Sequence, residues 1–121
     1  MLGYKAFAAG LPGPLAAAIC KDAAAGISAA GTAQATATEL TSADNEITTA
    51  AAGSGVVLSA SLAAGDSQTV FNAGANAVKV YPPSGMKINA LPTNAPMLLA
   101  VNTGCYFKCI SATRVFGILS A

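Results

Sequence analysis

Five carboxylates and three thiols are the side chains with the reactivity for acid–base, nucleophilic or metal chemistry, and their placement argues against all three. The carboxylates are Asp22, Glu39, Asp44, Glu46 and Asp66. Asp44 and Glu46 stand two residues apart and share a face in an extended chain, the arrangement a glycosidase uses for its acid and nucleophile. Within SADN, however, Asp44-Asn45 reads as a polar turn between strands. Cys105 and Cys109 share a face of a strand at a separation of about 13 Å, since each residue rises roughly 3.3 Å. That exceeds the roughly 7 Å Cα limit of a disulfide and spreads the sulfurs too far for Zn–S bonds of about 2.3 Å to one ion. With Cys20 the cysteine count is odd, which does not suit a disulfide framework. A nucleophilic cysteine needs a neighbour that lowers its pKa, and only lysines are close in sequence. Histidine is absent altogether, which removes His-dependent triads and His-containing zinc sites. The expectation is a protein with no catalytic residues, no cofactor and no metal, its thiols packed as small reduced hydrophobes.

Composition points the same way. Charged residues make up 9% of the 121-residue chain against about 25% in an ordinary domain, and apolar residues, many of them alanine, make up 54%. That is one domain's length, and a surface so poor in charge invites association, so an oligomer or assembly component is expected. The net charge is +1, with Lys5, Lys21, Lys79, Lys87, Lys108 and Arg114 dispersed along the chain. Nucleic-acid binding would want a basic stripe with aromatic platforms, and none is present. No apolar run reaches the roughly 18 residues of a membrane span, which predicts a soluble chain. Lys5 followed by AFAAGLPGPLAAAIC imitates a secretory leader. Ile19 before Cys20 is too bulky for its cleavage site, and Gly10, Pro12, Gly13 and Pro14 interrupt its apolar core, so no cleavage is expected.

Two segments differ in kind. Residues 1–31 are rich in Ala, Gly and Pro, with large apolar side chains at Leu2, Tyr4, Phe7, Leu11, Leu15, Ile19 and Ile27. They read as an extended arm with a short helix over 14–25, Pro14 in its first turn and Gly26 closing it. Such an arm buries little against its own domain and is expected to dock elsewhere. Over 32–121 the apolar period becomes two. Candidate strands are 33–40, 46–51, 56–62, 68–72, 77–81, 87–91, 97–101, 105–110 and 114–119. Turn chemistry in SADN, GSG, AAGD, AGAN, PPSG, PTNAP, NTG and SAT separates them. The expected fold is all-β, a jelly-roll-like sandwich of eight or so strands. Thr36 and Thr38 belong to its first strand, with Thr32 just ahead. Val78 and Val80 oppose Lys79 and Tyr81, and Tyr106 and Lys108 oppose Phe107 and Cys109. Phe71, Phe107 and Phe116 are the expected aromatic core. The loop after Tyr81, comprising Pro82, Pro83, Ser84 and Gly85, is an expected exposed contact.

Residues 31–116 carry GTAQATATELT, GSGVVL, the AAGD turn, FNAGANAVKVYPPSGMKINAL and SATRVFGI. This pattern resembles a family of small β-structured virion proteins of tailed bacteriophages, of the capsid decoration (cement) or head-fibre type. The resemblance implies a β-sandwich or jelly-roll body without catalytic residues, forming a homo-oligomer, with a trimer favoured, on the capsid exterior. There it would clamp neighbouring major capsid proteins, after assembly in the host cytoplasm. The arm lies outside the match; Leu2, Tyr4, Phe7, Leu11, Leu15 and Ile19 are its expected anchors to the capsid or to a neighbouring subunit. The alternative within the same resemblance is a tail-fibre, head-fibre or other tail component that binds a host surface.

Overall fold

The computed structural model describes residues 22–120; the arm positions Leu2, Tyr4, Phe7, Leu11, Leu15 and Ile19, together with Cys20, lie outside the described residues. From Ala23 onward the chain winds between two sheets. It passes through β1 (Ala23–Ser28), β2 (Thr38–Glu39), β3 (Asp44–Thr49), β4 (Gly55–Val57), β5 (Ser67–Asn72) and β6 (Val78–Tyr81). The odd-numbered strands go to one sheet and the even-numbered to the other, each parallel to the one before it in its sheet. Ala23 pairs with Asp44 and Asp44 with Thr69, so successive coils take 21 and then 25 residues. The coils also join at their corners: the Leu40 amide donates to Val57 O at 2.9 Å and the Leu58 amide to Tyr81 O at 3.0 Å.

The remaining strands close one end of this stack. They are β7 (Lys87–Ile88), β8 (Met97–Leu99), β9 (Thr103–Ser111) and β10 (Arg114–Leu119). β8 lies antiparallel against β6, and β9 antiparallel between β5 and β10. The six-stranded sheet therefore runs β1-β3-β5-β9-β10-β7 and the four-stranded one β2-β4-β6-β8. The fold is all-β, as expected, but its sheets form a solenoid-like arrangement rather than a jelly roll. A jelly roll is built from antiparallel Greek keys, whereas five of the eight pairings here are parallel. Among the described residues no helix is long and apolar enough to cross a membrane.

Each candidate strand overlaps an observed one, and the departures have local causes. β1 falls inside the range assigned to the arm, and Ala23 to Ala25 are sheet rather than the end of a helix. Small side chains let this edge strand lie flat against β3. The first candidate strand shrinks to Thr38–Glu39, because Thr36 bends 33–37 into a turn: its amide and hydroxyl both reach Ala33 O, at 3.1 and 3.2 Å. Asp44 and Asn45 stand in β3 rather than in a turn, and Asn45 is buried with its Nδ2 donating to Ser42 O at 2.8 Å and Thr69 O at 3.2 Å.

Between the sheets the core contains Leu40, Ile47, Val56, Leu58, Val70, Val78, Val80, Ile88, Leu99, Phe107 and Val115, all essentially buried. Each such side chain contributes about 1.5–3 kcal/mol when removed from water. Val78 and Val80 do share the inner face. Of the three expected core phenylalanines only Phe107 is inside. Phe71 is 48% and Phe116 40% exposed. In β5 the inward set is Gln68, Val70 and Asn72, which turns Phe71 out. In β10 a register irregularity between Arg114 and Val115 aims Val115 inward, and its neighbour Phe116 outward.

Buried amides hold the coils to their corners. Gln68 Nε2 donates to Leu40 O at 2.8 Å and Ser42 O at 3.0 Å, while its Oε1 accepts from the Ser59 amide at 2.9 Å. Asn72 does the same between Asn76 O at 2.9 Å, Leu99 O at 3.0 Å and the Gly74 amide at 3.0 Å. Satisfied in this way, a buried amide costs little and fixes register. The turn ahead of β2 needs glycine at Gly31, whose φ is +73° and where a Cβ would run into the Thr36 carbonyl.

Candidate interaction surface

The outer face of the six-stranded sheet is apolar where solvent should favour charge. β9 alternates Tyr106, Lys108 and Ile110 outward with Cys105, Phe107 and Cys109 inward. On β10 the outward residues are Phe116 and Ile118, and on β5 Phe71. Cross-strand register assembles them into one patch. Ile118 lies opposite Tyr106, Phe116 opposite Lys108, and Phe71 opposite Gly104. Gly104 is the seat of the Phe71 ring: a Cβ there would meet the ring at 2.6 Å, so no other residue fits without moving it. Tyr106, Ile110 and Ile118 are 41%, 51% and 65% exposed. At roughly 150–250 Å² per large side chain, the five apolar residues present on the order of 500 Å² to solvent. A continuous patch of that size on a soluble domain marks an interaction site.

Charge frames the patch unevenly. On the β3 side stand the exposed carboxylates Asp44 and Glu46, with Glu46 in register beside Phe71. On the other side stand Arg114 and Lys87, paired across β10 and β7. The Arg114 guanidinium lies 5.5 Å from the centre of the Phe116 ring, a cation–π contact that holds the ring flat on the sheet. Lys108, in the middle, donates from Nζ to Gly65 O at 2.7 Å.

The residues singled out for chemistry are dispersed by the fold. Asp44 and Glu46 do share a face, but that face is open sheet. Asp22, Asp44 and Asp66 line one shallow cleft of about 170 Å³ beside Ser59, Thr69 and Tyr106. Asp22 and Asp66 serve as turn caps there, accepting from the Ala43 and Ala63 amides at 3.0 and 3.1 Å. Among the described residues no three His, Cys, Asp or Glu side chains are grouped to hold a metal. Cys105 and Cys109 are buried and free on the inner face of β9. Burial pushes the Cys105 thiol up to about 11 and raises that of Cys109 as well, with the Asp66 charge adding to the latter. Protonated thiols are poor nucleophiles.

The loop after β6 is more enclosed than expected. Tyr81, Pro82 and Pro83 are buried, leaving Ser84 and Gly85 as the exposed tip. The Tyr81 hydroxyl donates to Thr32 O at 3.1 Å, Gln34 Nε2 to Pro82 O at 2.8 Å, and the Gly85 amide to Asn94 Oδ1 at 2.7 Å. These bonds tie the loop to the turn before β2 and to the segment before β8. The apolar patch, not foreseen as such, leaves a trace in the sequence. β9 and β10 carry large apolar residues on both faces, which an antiparallel sheet with one wet side does not require.

No family model, curated protein or solved structure matches the chain.

Proposed function

We propose that this chain is a structural virion protein of a tailed phage, a capsid decoration protein that binds the outer surface of the mature shell and clamps neighbouring major capsid proteins. The observation that carries the reading is the exposed Phe71–Tyr106–Ile118–Phe116 face on a chain with 9% charged residues. Such a surface works by contact. The resemblance over residues 31–116 supplies the kind of partner. A protein that binds only the expanded lattice stabilises it in proportion to the logarithm of its concentration over its dissociation constant, and repetition around the shell turns weak contacts into avidity.

The test is a titration of purified protein onto expanded capsids that lack it, with bound copies counted per particle and particle melting followed in parallel. Saturation at a fixed multiple of lattice sites with a raised melting temperature is the expected result. Failure to bind the lattice would overturn the reading and favour a tail or fibre component. Removing residues 1–15 is expected to leave the body folded, since the first strand begins at Ala23, and to weaken occupancy on particles. Unchanged occupancy would show that the arm is not the anchor.

A further inference from the structure

We infer that the outer face of the six-stranded sheet packs against the same face of a second copy of this chain, related by a two-fold axis. This rests on reading that face as an interaction surface and is independent of what the particle is. Three features select a second copy.

The first is number. Of the eight exposed large hydrophobics among the described residues, five belong to this patch, with Leu119 at its end; Leu98 and Val101 lie apart. A ring with three-fold symmetry needs two different complementary surfaces, whereas a two-fold pair uses one surface twice. One dominant patch therefore suits a pair better than a trimer.

The second is charge. The acidic margin, Asp44 and Glu46, is on β3, and the basic margin, Arg114 and Lys87, is on β10 and β7. The strands run β3-β5-β9-β10-β7 across the sheet. A two-fold axis in the contact plane, along the strands and between β5 and β9, lays β3 of one copy over β10 of the other. Acidic margin then meets basic margin twice, with the aromatic rows in the middle. The same face set against itself with the axis across the strands would oppose acid to acid, so charge also selects the orientation.

The third is size and shape. On the order of 500 Å² of apolar surface with a charged rim approaches the roughly 800 Å² per partner of a stable interface. Two sheets pack face to face at about 10 Å by interdigitating side chains. Gly104 beside Phe71 leaves a recess in the sheet surface for a side chain of the other copy.

The experiment is sedimentation equilibrium on the full-length protein at micromolar concentration, without capsids. A species of twice the chain mass is expected. The exposed Ile118→Lys variant should raise the dissociation constant about 30-fold or more, as loss of an interface hot spot does, while circular dichroism shows the fold retained. Glu46→Lys should weaken the pair through charge alone, and adding Arg114→Glu should restore it. A protein that stays monomeric, one that forms trimers, or a dimer indifferent to both Ile118→Lys and Glu46→Lys would overturn the proposal. A dimer that fails to bind capsids would retire the decoration reading and leave this contact standing.

Discussion

The coiled part of the molecule, β1 to β6, and its closing part, β7 to β10, bury their cores by different means. In the coils the inward residues are valine, leucine and isoleucine interleaved with amides, as in the Gln68, Val70, Asn72 row of β5. The corners are held by side-chain bonds to backbone rather than by bulk. In the closing part the inward row of β9 is Cys105, Phe107, Cys109, and no inward amide sits among them. The difference teaches that stacking fixes register through hydrogen bonds, while closure excludes water through volume. The same β9 then offers its opposite side to a partner.

Phe107→Ala is the severest way to test this contrast. Fully buried, Phe107 should cost about 3–5 kcal/mol on truncation, read as a lowered urea midpoint; a midpoint like that of the unmodified protein would mean closure does not depend on volume. Gln68→Ala probes the other half. It strands two carbonyls and one amide, and a loss of about 3 kcal/mol is expected; a loss under about 1 kcal/mol would show the coils held by packing alone.

A third prediction concerns pH. Because the Cys105 thiol is raised from 9.0 to about 11 by burial, the folded protein holds its proton where the unfolded chain releases it. That contribution to stability is intact below pH 9 and is lost as pH rises toward 11. Melting temperature should fall across that window, and Cys105→Ala should flatten the decline. An equal decline in that variant would assign the effect to other groups. The smallest effect is expected outside the barrel: Phe116→Ala should change monomer stability by no more than about 1 kcal/mol, measured at a concentration where any association is absent. A loss as large as that of Phe107→Ala would erase the distinction between the two faces of the sheet.

Strand positions were legible from alternation and turn residues, and the two faces of β6 and β9 were read correctly at Val78, Val80, Tyr106 and Phe107. Sheet direction was not legible, since alternation has the same period whether neighbours run parallel or antiparallel. One signal of coiling does lie in the chain: Asp22, Asp44 and Asp66 recur every 22 residues and line a single cleft. Phe71 and Phe116 were placed in the core because aromatic residues usually are, but the neighbours that turn them outward, Gln68 and Asn72 on one strand and the register irregularity before Val115 on the other, act through partners distant in sequence. Of the interaction surface, the sequence showed the scarcity of charge and the doubly apolar β9 and β10. It did not show that Phe71, Tyr106 and Ile118 meet.

The position of β9 sets the order in which this chain can fold. Neighbouring coils join residues 21 to 25 apart, but Ser67 of β5 waits for Lys108. Contacts between distant residues form late and slowly. During synthesis the coils can wind as they emerge, and the flank of β5 then stands open until some forty more residues have left the ribosome. For that interval the nascent chain carries a bare strand edge, and the insertion of β9 is the step that separates a finished subunit from one prone to pair with the wrong strand.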